Sequence, residues 1–132
     1  MHNSKILEYC KVTERKFRWD AMVDDTRFEL YIPDWRVPEP IPPRVRVVIY
    51  LPGDELPDIS QLEYSEAVSA PERLQSPILA RVRFVSVHTK THRFDPIGDP
   101  KQREIGSPYI PTSLLPAEIP AELTISVEWL AD

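Results

Sequence analysis

The sequence predicts an all-β fold, an antiparallel β-sandwich or partly open β-barrel of about six strands joined by proline-rich connections. Three observations point there. Apolar residues alternate with period two in several short segments. No stretch of roughly 10–15 residues carries helical periodicity, which argues against a parallel α/β sheet. And 15 prolines stand against 3 glycines. Because the prolines separate periodic apolar segments, they read as connector chemistry rather than as disorder. Each fixed φ also narrows the unfolded ensemble, so the connections lose less entropy when they order.

In chain order, Phe17, Trp19, Ala21 and Val23 alternate, and so do Phe28, Leu30 and Ile32. Asp24–Asp25 between them suits a turn, so residues 15–32 read as a hairpin. Pro33–Pro43 (PDWRVPEPIPP) reads as extended or polyproline II chain. Arg44–Leu51 puts Val45, Val47, Ile49 and Leu51 on one face and Arg44, Arg46, Val48 and Tyr50 on the other. Pro52–Gly53 has the proline-then-glycine order of a type II turn. Ser60–Val68 fits either a short capped helix or a strand.

Ile78–Phe94 reads as the longest strand, and its alternation changes parity. Ile78, Ala80, Val82 and Phe84 are apolar at even positions, whereas Val85 and Val87 are apolar at odd ones. A one-residue slip turns every side chain to the other face, so a β-bulge is expected near Phe84–Ser86. Asp95–Pro100 reads as a second turn, and the prolines of Gly106–Pro120 leave room for a short turn at Thr112–Leu115. In Leu123–Leu130, Leu123, Ile125, Val127 and Trp129 face inward, with Thr124, Ser126 and Glu128 outward.

A chain of 132 residues is the size of one domain, here 1–132, and can bury a core without metal or disulfide staples. The mean hydropathy of -0.34 fits a soluble protein. The longest apolar run, Val47–Leu51, is far short of the roughly 20 residues that span a bilayer. Cys10 is the sole cysteine, which makes a reducing compartment, and hence the cytoplasm, the expected location. Within YCKV it reads as a small buried residue rather than an activated thiolate.

The chemistry-bearing residues are few. His88 and His92 have the H-x-x-x-H spacing of a helical metal pair. On one strand, however, they would stand about 13 Å apart, too far to share an ion, so no metal is expected. His92 with Asp95 could instead form a base and its orienting carboxylate, which leaves a small-molecule barrel or a hydrolase as one alternative. No serine sits in a nucleophile-elbow pattern, so no catalytic residue is assigned. Asp24–Asp25 and Asp54–Glu55 are explained by turn chemistry. Three scattered glycines cannot form a phosphate-cradling loop, and no cofactor is expected.

Arg44, Arg46, Arg81 and Arg83 could form a basic sheet face for single-stranded nucleic acid. The net charge of -5 disfavours that alternative, and outward Glu29, Glu122 and Glu128 are natural cross-strand partners for the arginines. Trp35, in a rigid connector, either plugs one end of the core or anchors an interface, and plugging is favoured by the usual burial of tryptophan. The resulting expectation is a non-enzymatic binding or assembly domain that acts through a sheet face and rigid loops. Its partner would be a protein or a second copy, with Tyr31, Val48 and Tyr50 outward.

Overall fold

The computed structural model describes residues 2–13, 15–56 and 77–130. Ser60–Val68, ambiguous in sequence, lies outside them. The described residues form eight strands: β1 (His2–Thr13), β2 (Lys16–Val23), β3 (Thr26–Pro33), β4 (Arg44–Tyr50), β5 (Ile78–Val87), β6 (Thr91–Pro96), β7 (Tyr109–Pro111) and β8 (Glu122–Leu130). They form one antiparallel sheet in the order β3-β2-β1-β4-β8-β5-β6-β7. The sheet curls until its ends nearly meet. At the seam the Gly106 N–H donates to the Tyr31 carbonyl at 2.8 Å. A Cβ at Gly106 would sit 3.3 Å from Tyr31 Cβ, so the missing side chain permits this approach. The architecture is therefore a nearly closed barrel, which decides between the two expected all-β forms.

The interior is filled by the residues that alternation turned inward. Trp19, Ile32, Val45, Ile78, Val82, Phe94, Ile110, Ile125 and Val127 are each fully buried. Trp19 lies at the centre of an aromatic cluster, 5.6 Å from Tyr9 and 5.9 Å from Trp129 between ring centroids. Its indole N–H donates to the Pro42 carbonyl at 2.9 Å, pinning the proline connector across the barrel end. Among the described residues, no helix is long and apolar enough to cross a membrane.

The hairpin expected over residues 15–32 is present, and its turn carries positive φ at Asp24 (46°) and Asp25 (65°). Both values belong to a type I′ turn, made here with aspartate because short polar side chains tolerate that region. Gly53 has φ 91°, as a type II turn requires. The β-bulge also lies where the parity change placed it: the β5–β6 register shifts between Phe84 and Ser86.

Other expectations need correction. Ile78–Phe94 is two strands rather than one. The chain reverses at residues 88–90, where the His88 N–H donates to the Thr91 carbonyl at 2.8 Å. The turn sequence His-Thr-Lys holds no glycine, proline, asparagine or aspartate to mark it. The strand count exceeds six because β1 and β7 also form. β1 offers little inward apolar signal: of residues 4–10, Leu7 is buried and Tyr9 half-buried. Cys10, expected to be buried, falls on the outward parity and is exposed. Val48 (6% exposed) and Tyr50 (9%) were expected on the open outer face and are buried. Alternation distinguishes the two faces of a strand but does not report whether the outer face is covered.

Candidate functional site

Past β3, the ring of Pro33 and the following turn end the ladder. Asp34–Arg36 forms a single 3-10 turn, in which successive side chains diverge by about a third of a revolution. Arg36 points inward and is fully buried, and Val37 is 5% exposed. Trp35 is thereby thrown outward and stands 45% exposed, so it is not a core plug. That inner place belongs to Arg36, which pairs with Glu104 and donates from Nη2 to the Pro77 carbonyl at 3.1 Å. The ion pair clamps three segments together at this end of the barrel.

Trp35 forms one lip of a groove of about 800 Å³. Leu79 and Arg81 on β5, Thr124 on β8, and Pro96 and Ile97 at the end of β6 contribute to its lining. Lys101, Arg103 and Glu104 line it from the loop beyond β6. That loop is fixed by backbone bonds. The Ile97 N–H donates to the Arg81 carbonyl at 2.9 Å, and Gly98 takes φ 119° to turn the chain. Asp99 then caps the 3-10 turn at Pro100–Gln102 by accepting from the Lys101 N–H at 3.0 Å. Besides Trp35, Leu56 (46%) and Ile97 (40%) leave large apolar side chains exposed at the groove.

The charges there are unequally committed. Glu104 is bound to Arg36, and Asp99 is engaged by its own turn. Arg81 meets Glu122 at 2.6 Å, but both side chains are about half exposed or more and the guanidinium keeps further donors. Lys101 has no ion pair among the described residues, and Arg103 Nε is buried without a hydrogen-bond partner. The groove therefore presents more donors than acceptors.

A second groove, of about 850 Å³, lies along the seam and is lined by Lys16, Arg27, Glu29, Tyr31, Gly106, Ser107 and Tyr109. Several polar groups in and beside it bind one another. Arg18 beside it binds Asp20 at 2.7 Å and Glu29 at 3.4 Å, and the Asp20 hydrogen bond holds its pKa above the usual value. The Tyr31 hydroxyl donates to Glu29 at 3.1 Å. Burial, then that hydrogen bond and the Glu29 charge, push the phenol up. This network ties β2 to β3 beside the seam.

The histidine motif does not converge. Val87 and His92 are cross-strand partners, so the two histidines belong to a hairpin and the single-strand separation does not apply. His88 is exposed at the turn, with Nε2 3.0 Å from Ser86 Oγ and its ring 5.1 Å from Tyr109. His92 is buried among Phe84 and Thr112, its Nδ1 3.1 Å from Thr112 Oγ1. Asp95 lies on the opposite parity of β6 and binds Arg93 at 3.1 Å. Burial raises its pKa, but hydrogen bonds from Ser107 and Arg93 and the charges of Arg93 and Arg103 together carry it below the usual carboxylate value. His92 and Asp95 thus do not form the expected base–carboxylate pair. Among the described residues, no cluster of three or more histidine, cysteine or carboxylate side chains could hold a metal.

The four arginines share the outer face of the sheet but are divided by acids. Arg44 and Arg46 stand on β4 and Arg81 and Arg83 on β5, with β8 between them carrying Glu122 and Glu128. Arg46 lies opposite Glu128 and bonds it at 3.1 Å, and Arg83 lies opposite Glu122. The structure thus brings Trp35 and Arg81 to one groove and leaves the other nominated residues elsewhere. Sequence reading missed Lys101, Arg103 and Ile97. Their signal was an isoleucine inside the turn DPIGDP with the basic run KQR behind it. Comparison with family models, with curated proteins and with solved structures finds no match to this chain.

Proposed function

We propose that this chain is a non-enzymatic binding or assembly domain that docks a protein partner at the groove beneath Trp35. The half-exposed Trp35 carries the reading. A large aromatic held outward on a clamped connector is the kind of residue that dominates binding energy at interfaces. Two features support it. The barrel interior is occupied by side chains, which disfavours a carrier with an internal ligand cavity. The connectors bearing the groove are fixed by proline, the Arg36–Glu104 pair and the Asp99 cap, so little entropy is lost on binding. An exposed lone cysteine fits a reducing compartment, the cytoplasm in this reading.

Display of random peptides against the immobilised full chain tests the proposal. Selected peptides should compete with one another and lose binding to W35A. They should keep it to I6A, whose exposed isoleucine lies on β1 away from the groove. Selection that is indifferent to W35A, or no selection at all, overturns it.

A further inference from the structure

We infer that the groove selects an acidic peptide segment, its carboxylates meeting Arg81, Lys101 and Arg103 and an apolar residue packing against Trp35 and Ile97. The inference rests on the docking reading above and adds the chemistry of the partner.

Charge complementarity commits the occupant. Both carboxylates on the groove are used within the protein, Glu104 by Arg36 and Asp99 by the Lys101 backbone. The cations are differently placed. Lys101, on the 3-10 turn, is exposed and has no ion pair among the described residues. Arg103 keeps a buried Nε that bonds to nothing in the protein. Arg103 is half-buried on the groove wall and its charge is shared with Asp95, so what it adds to the groove is positive charge rather than an open donor. Carboxylates fit, since guanidinium geometry matches them with two parallel hydrogen bonds.

The apolar part of the groove separates a peptide from a nucleic acid. Leu79, Pro96 and Ile97 offer aliphatic surface, which suits side chains better than a ribose-phosphate backbone. Single-stranded nucleic-acid sites also need a run of cations along the strand. Here the cations nearest on the sheet are interrupted by Glu122 and Glu128 of β8. The protein is acidic overall, so its own field would repel a polyanion at range while a short acidic segment reaches the local cations.

The experiment measures fluorescence anisotropy of three labelled probes on the full chain at low and high salt. They are a short peptide of Asp and Glu with Leu and Phe, its counterpart with Lys replacing every acid, and single-stranded oligodeoxythymidine. The acidic peptide should bind, and more weakly at high salt. The double variant K101E/R103E should weaken it by about tenfold and W35A by about thirtyfold. R46E, outside the groove, should change nothing beyond its small effect on net charge. Preference for the basic peptide, still abolished by W35A, overturns the acidic choice and leaves the docking reading standing. Binding of the oligonucleotide in place of the peptide assigns the groove to nucleic acid and overturns both. Binding of no probe overturns the acidic choice, and the random-peptide selection then decides the docking reading separately.

Discussion

Arg36, with no surface exposed, is paired to Glu104, whose side chain keeps 14% of its surface. The pair joins the connector after β3 to the loop after β6, and the Pro77 carbonyl accepts a further hydrogen bond from Arg36. Taking a guanidinium out of water is costly, and the pairing offsets that cost only while both partners remain. Arg36 therefore organises the groove from behind, positioning Trp35 through the backbone they share.

Removal of the carboxylate alone should be severe. E104A takes from a fully buried guanidinium the carboxylate it is paired with and is expected to destabilise the chain by about 3 kcal/mol, read by urea unfolding. The double replacement R36M/E104L removes both charges and keeps the apolar volume. It should recover most of the loss. If E104A unfolds at the same urea concentration as the parent, the pair does not act as a clamp.

Trp19 and Trp35 make an opposed prediction. Trp19 is fully buried and bonded to Pro42, whereas Trp35 is 45% exposed. W19F strands the Pro42 carbonyl and opens space in the aromatic cluster, at an expected cost of about 2 kcal/mol. W35F should change stability by less than about 0.5 kcal/mol, in the range of ordinary surface substitutions. Acrylamide should quench the emission of W19F, which retains Trp35 and the half-buried Trp129, more strongly than that of W35F, which retains Trp19 and Trp129. Equal losses of stability would place Trp35 in the core, as its residue type alone suggests.

What the sequence disclosed and what it hid follow from the same physics. Alternation at Trp19, Phe28, Leu30, Val45, Ile125 and Val127 marked the barrel interior because each strand buries one face. The parity change at Phe84–Ser86 marked the bulge because an extra residue must shift the face of those beyond it. The hairpin at residues 88–90 was hidden, since its turn is made by residues with no turn preference. Trp35 was expected as the plug, and the plug is Arg36. Composition favours a buried tryptophan over a buried arginine, and only Glu104, distant in sequence, reverses that preference. The groove was partly legible through Trp35 and Arg81, while Lys101 and Arg103 reach it through a loop whose path the sequence does not report.

Asp95 gives a pH-dependent test of how the outer face of β6 is held. Its folded-state pKa is depressed below 3.8, burial being outweighed by the Ser107 and Arg93 hydrogen bonds and the charges of Arg93 and Arg103. A depressed carboxylate contributes stability that is fully present above its unfolded pKa and lost as pH falls through the folded value. The parent should therefore exceed D95N in stability by a constant margin from about pH 5 upward, of no more than about 1 kcal/mol because the Arg93 pair is partly exposed. Below about pH 4 the margin should shrink toward zero as the carboxyl takes up its proton. Urea unfolding of both proteins at a series of pH values reads the difference directly. A margin that widens on acidification would mean that the protonated acid is the form favoured by folding. That result would contradict the hydrogen bonds assigned to Ser107 and Arg93.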